Sequence, residues 1–154
     1  MRRKSIVVIA ALAVAVLFAL AQIASAGTPV STAFTTTEAS IGAGHGTFSA
    51  SGAVADSGTF TADLVAFGAG RSPMVGTGHY LVVFNGEKDS LTLRAQVVFR
   101  PTADPLVFED VGRWVIVGGS GAYAGLHGEG TLAGVVDFRA GTATSTWQGV
   151  VQLG

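Results

Sequence analysis

From residue 32 onward, apolar and polar positions alternate with a period of two, and Gly and Pro interrupt the alternation at short intervals. That pattern predicts short, half-buried β-strands joined by tight turns. It yields eight strands, over residues 32–40, 46–54, 58–67, 78–84, 90–100, 106–117, 126–138 and 142–153. No stretch of this region has the apolar spacing of a helix. The fifth strand is the clearest: Leu91, Leu93, Ala95, Val97 and Phe99 share one face, and Thr92, Arg94, Gln96 and Val98 share the other. Just before it, Asn85-Gly86 predicts a hairpin with a type I′ turn, since both residues tolerate positive φ. In the seventh strand Leu126, Leu132, Val136 and Phe138 oppose His127, Glu129, Thr131 and Asp137. Its glycines, Gly128, Gly130 and Gly134, fall on the Leu126 face, where a missing side chain permits sharp coiling or close approach of another layer.

Eight such strands predict an all-β domain closed as an eight-stranded antiparallel up-and-down barrel. Closure removes the edges that an open sheet would offer to aggregation. A two-sheet β-sandwich is the alternative arrangement. A barrel of this strand number is either filled by side chains or just wide enough for one small ligand.

The N-terminal residues break the pattern. Arg2, Arg3 and Lys4 form a positive cluster, residues 6–23 are apolar except for Gln22, and Ala24-Ser25-Ala26 precedes Gly27. A basic end, an apolar run and a small-x-small site predict a cleavable signal peptide over residues 1–26. Cleavage near Ala26-Gly27 would leave a short linker at 27–31 and a barrel domain at 32–154, secreted to the cell envelope or beyond. The membrane would then be met only through the signal segment. A permanent anchor is the competing reading, but no basic flank comes after Ile23. No cysteine is present for a lipoprotein anchor, and Arg2-Arg3 leaves both general and twin-arginine export open.

Past residue 26, six basic residues face ten acidic ones, a net charge of −4. No basic patch exists to neutralise phosphates, so nucleic acid is excluded as a partner. With no cysteine, disulfides cannot support the exported domain, and packing and strand pairing must hold it. The single Asn85 precedes Gly86-Glu87, which does not make a glycosylation sequon.

The stretch Val115-Ile116-Val117-Gly118-Gly119-Ser120-Gly121-Ala122-Tyr123-Ala124 imitates a strand running into G-x-G-x-x-A, the phosphate loop of dinucleotide-binding folds. The next residues, Gly125-Leu126-His127-Gly128-Glu129-Gly130, cannot open a stable helix, and no βαβ unit surrounds them. A glycine-rich turn between two strands is the better reading. The run Trp114 to Gly130 also resembles the signature of allene oxide cyclase-like and dirigent-like barrels. There a hydrophobic strand enters Gly-Gly-Thr/Ala-Gly, and an aromatic, a small residue and Gly-x-x-Gly come after it. Gly78-His79-Tyr80-Leu81-Val82-Val83-Phe84, Leu91 to Phe99 and Phe108-Glu109-Asp110 fit the same resemblance. It implies an eight-stranded barrel, commonly trimeric, with an apolar cavity for a lipid or phenolic molecule. It carries over no mechanism. Glu38, the only acid of the first strand, is the sole candidate for the polar groups with which the cyclases steer their substrate.

Three histidines, His45, His79 and His127, sit on different strands and would suit zinc only if they converged inside the barrel. No two lie at a local ligand spacing, so no metal and no cofactor is expected. A second set is Arg94, Gln96, Glu109, Arg113, His127 and Glu129. If the Leu91 face points outward, these line the pocket and pair their charges there, where they could orient a ligand or move a proton. If the leucines fill the core, the same residues form the solvent face. With Glu38 they make up the candidate pocket lining. No serine lies in a G-x-S-x-G elbow, and a cysteine nucleophile is impossible. The sequence therefore leads to a secreted, non-catalytic barrel with room for a small apolar or phenolic ligand. An isomerase or cyclase on a lipid-like or phenolic substrate, and an oligomeric envelope or interaction protein, are the alternatives.

Overall fold

The computed structural model describes residues 27–69 and 76–154. Its strands are β1 (Val30–Glu38), β2 (His45–Gly52), β3 (Asp56–Ala69), β4 (Gly76–Gly86), β5 (Ser90–Pro101), β6 (Val107–Gly119), β7 (Leu126–Asp137) and β8 (Thr142–Leu153). Each pairs antiparallel with the next, and β1 closes on β8 from Val30↔Val151 to Glu38↔Ala143. This is the closed eight-stranded barrel, and the sandwich is set aside. The expected linker is shorter than its sequence span: Val30 and Ser31 already belong to β1, and the Gly27 N–H donates to the Leu153 carbonyl. Polar, small residues hid that strand start. The expected signal peptide lies outside the described residues.

Leu91, Leu93, Ala95 and Val97 point into the barrel and are buried, while Arg94 and Gln96 are exposed. The apolar row of β5 thus faces the core, as the cost of desolvating an unpaired guanidinium requires. The core centres on Phe84. Its ring stacks on Phe34 at 5.1 Å and meets Phe48 at 4.8 Å and Trp147 at 5.7 Å edge-on, geometries that aromatic quadrupoles favour. Trp114 adds an edge contact to Phe34 and lies over Gly130, where a Cβ would come within 2.6 Å of its indole. The inward glycine of β7 therefore makes room for a neighbour's ring.

The lower end, where β1 begins, is plugged. The β6–β7 connection forms a single 3-10 turn, Gly121–Tyr123, and tucks the Tyr123 ring beneath the core. The Tyr123 hydroxyl donates to Asp56 Oδ2 at 2.6 Å. Asp56 also accepts the N–H groups of Ser57, Glu87 and Lys88, which fixes the neighbouring β4–β5 loop. That anchoring changes the expected turn. Asn85 and Gly86 do not take positive φ; Asn85 pairs with Ser90, and the loop is residues 87–89. Gly86 is needed for another reason: a Cβ there would collide with Asp56 Oδ2.

Candidate functional site

The upper end is hollow. A cavity of about 590 Å3 opens there, walled by apolar residues including Leu64, Phe67, Phe99, Phe108 and Phe138. An inner chamber of about 120 Å3 shares Glu38, Ala62, Tyr80, Phe99, Val136 and Ala143 with it and reaches down to Asp110, Ser145 and Trp147. Size and apolar walls with a few convergent polar groups are the attributes of a small-molecule site. Local irregularity helps build the rim. The register of β3 against β4 shifts between Leu64 and Ala66, and Leu64, Val65 and Phe67 are all exposed. Across the mouth, Phe108 and Phe138 meet edge-to-face at 5.6 Å.

The polar groups come from several strands. At the top of β1, Glu38 lines both spaces, and its Oε1 accepts the Gly44 N–H at 3.0 Å, tying it to the β1–β2 loop. On β4, Tyr80 projects into the space with its ring laid back over Gly78. Partial burial, then the charges of Glu38 and Asp110, push its phenol pKa up, so Tyr80 is neutral at physiological pH. On β6, Asp110 shares the inward phase of Trp114 and is 7% exposed. From β8, Ser145 Oγ donates to its Oδ2 at 2.6 Å. The Asp110 Oδ1 is buried and has no hydrogen-bond partner. Burial pushes the Asp110 carboxyl above its ordinary value, and the Ser145 bond offsets only part of that. Beneath it, Trp147 Nε1 donates to Thr36 Oγ1, which in turn donates to the Ser145 carbonyl. That chain fixes the chamber floor across the β1–β8 seam.

Of the seven residues singled out from sequence, Glu38 alone lines this cavity. Arg94, Gln96, Glu109, Arg113, His127 and Glu129 are exposed on the outer face, so their placement in the pocket is corrected. Each alternates with a buried or inward residue of its own strand, and a charged side chain takes the solvent side of such a pair. His127 and Glu129 instead border a groove on the outer surface with Val115 and Val150. His45, His79 and His127 are all exposed on separate strands and do not converge. Among the described residues no three His, Cys, Asp or Glu side chains gather to hold a metal. Asp110 and Ser145 were missed from sequence; the two-residue phase shared with Trp114 and with Trp147 was the signal for them.

No family model, curated protein or solved structure matches the chain.

Proposed function

We propose that this protein is an exported, non-catalytic barrel that holds one small, mainly apolar or phenolic ligand in its upper half. The observation that carries the reading is the division of the interior. Aromatic rings fill the lower half, whereas a largely apolar cavity of about 590 Å3 is left above them. Core packing alone leaves few voids larger than a water molecule, so a hollow of this size calls for an occupant. Export rests on the pattern of residues 1–27. Kinship with allene oxide cyclase-like and dirigent-like barrels rests on the run from Trp114 to Gly130. In this fold Gly119 and Gly121 of that run serve the turn that carries the Tyr123 plug, at the opposite end from the cavity, while Gly130 makes room for Trp114.

The test is titration with the neutral apolar fluorophore N-phenyl-1-naphthylamine. The wild type is expected to give saturable one-site binding. Ala143→Trp, which places an indole where both spaces meet, should remove it while leaving the barrel folded by circular dichroism. Absence of saturable binding, or binding that Ala143→Trp does not alter, overturns the reading.

A second reading, an isomerase or cyclase on a lipid-like or phenolic substrate, draws on Asp110. A buried carboxyl with raised proton affinity is suited to deliver a proton within an apolar space. Of the groups expected to serve it, Arg94 and Glu129 lie outside and Glu38 lines the cavity, beside Tyr80 and Asp110, which were not among those groups. Turnover of a bound substrate that Asp110→Asn slows without weakening binding would favour this second reading.

A further inference from the structure

We propose that the ligand is a cationic amphiphile, seated with a primary ammonium head against Asp110 and its alkyl portion along the apolar walls of the outer cavity. The inference rests on the ligand-holding reading above and narrows it to one chemical class. Three independent observations converge on it. Asp110 is 7% exposed, lines the inner chamber, and has one oxygen with no hydrogen-bond partner. A buried acceptor left unpaired is costly and calls for a donor. Next, the charged groups lining the two spaces are Glu38 and Asp110, and no Lys, Arg or His lines either among the described residues. A carboxylate ligand would meet repulsion there, while an ammonium would be attracted. Finally, Tyr80, Phe99 and Phe108 present aromatic rings along the path from mouth to chamber, which suits passage and seating of a cation.

The head group supplies what the site lacks. An ammonium carries three N–H donors. One would pair with the carboxyl of Asp110, which lines the chamber and lacks a partner at Oδ1, and the neutral hydroxyl of Tyr80, on the same chamber wall, can accept another. A charge-assisted bond to a carboxylate is about twice as strong as a neutral one. A head-group alcohol would satisfy the same oxygen but gain nothing from the two carboxylates.

Three probes sharing one chain separate these cases: decylamine, decanol and decanoate, each at neutral pH below its micelle concentration, titrated by calorimetry. Decylamine should bind roughly ten-fold tighter than decanol or more, and decanoate weakest. In Asp110→Asn the preference for decylamine over decanol should fall to within about three-fold. Glu38→Gln should lower it too, and as a rim residue it covers the case in which the Asp110 variant does not fold. Glu109→Gln removes the same charge from the outer face and should leave the preference intact. Equal binding of decylamine and decanol overturns the inference, as does an equal loss in Glu109→Gln, which would mean general attraction to an acidic surface. In both of those outcomes saturable binding of N-phenyl-1-naphthylamine still stands. Failure of every probe, that fluorophore included, instead overturns the ligand-holding reading itself.

Discussion

Asp110 and Asp56 are two carboxyls at opposite ends of one barrel, and their surroundings move them in opposite directions. Burial dominates at Asp110 and raises its pKa. A group whose proton affinity is higher in the folded than in the unfolded state favours folding when protonated. Its contribution is complete below the ordinary 3.8 and is lost as pH rises through the folded value. The charged form thus strains the native state at neutral pH. Asp110→Asn is a neutral mimic that can still accept from Ser145, so it should be more stable than the wild type at pH 7. The gain is the penalty that burial imposes on the charged carboxyl. It should vanish near pH 3, and chemical denaturation across that range would reject the account if the two stability curves run parallel. At Asp56, burial also pushes upward, but the bonds from Tyr123, Ser57, Lys88 and Glu87 outweigh it and hold the pKa below 3.8. Its contribution is present above 3.8 and is lost as pH falls through the lower folded value. Tyr123→Phe keeps the ring that plugs the barrel and deletes one bond to a charged acceptor, so it should cost about 1.5 kcal/mol at neutral pH. That cost should shrink once Asp56 is protonated. A constant cost down to pH 2 would show that the hydroxyl acts by some route other than its bond to Asp56.

At the scale of the strand, phase decides everything. In β7, Gly134 stands where a Cβ would collide with Asp110 Oδ1, Ser145 Oγ and the Thr144 carbonyl. Gly134→Ala must therefore displace the Asp110–Ser145 pair or the backbone of β8, at about 1–3 kcal/mol. By contrast, Gly68 has nothing within 4 Å of its Cβ position, so Gly68→Ala should stay within about 0.5 kcal/mol of wild type. Thermal melts of the two variants compare them directly, and equal melting temperatures would refute the close-packing argument. Phase also explains what was legible in the sequence. The apolar row Leu91 to Phe99 against Arg94 and Gln96 marked the strand and its two faces at once. Which face lies inside was ambiguous wherever both rows are apolar. In β6, Trp114 and Ile116 are buried, yet Val115 and Val117 between them are exposed at 42% and 47%. Counting back from Trp114 by twos reaches Asp110, and counting by odd steps reaches Glu109 and Arg113. Buried acids are rare, so the residue that does face inward is the one a sequence pattern argues against. The bulge near Val65 and the loop pinned by Asp56 were not legible, because each depends on contacts far away in sequence.

For the molecule as a whole, closure joins its first strand to its last. The Thr36 hydroxyl bonds the Ser145 carbonyl across a sequence separation of 109, so the seam can form only when most of the chain is in place. Such topology predicts slow, cooperative folding on the millisecond-to-second scale. Cooperativity does not make the interior uniform. The lower half is a close-packed aromatic cluster around Phe84, which is 1% exposed, while Phe99 above it packs on the core with one side against the cavity. Stability and ligand binding should therefore separate along the barrel axis. Phe84→Ala removes a stacked contact to Phe34, edge-on contacts to Phe48 and Trp147 and a tilted contact to Phe60, and should cost about 3–5 kcal/mol. Phe99→Ala gives up a ring already half bordered by open space and should cost less than about half as much. In urea denaturation at equal m-value, the two midpoints report these costs. In the fluorophore titration the order should reverse: Phe99→Ala weakens binding several-fold, and Phe84→Ala leaves the affinity of the folded fraction nearly unchanged. If both variants lose stability and affinity together, the interior behaves as one packed unit, and the division into a plug and a hollow does not describe how this barrel works.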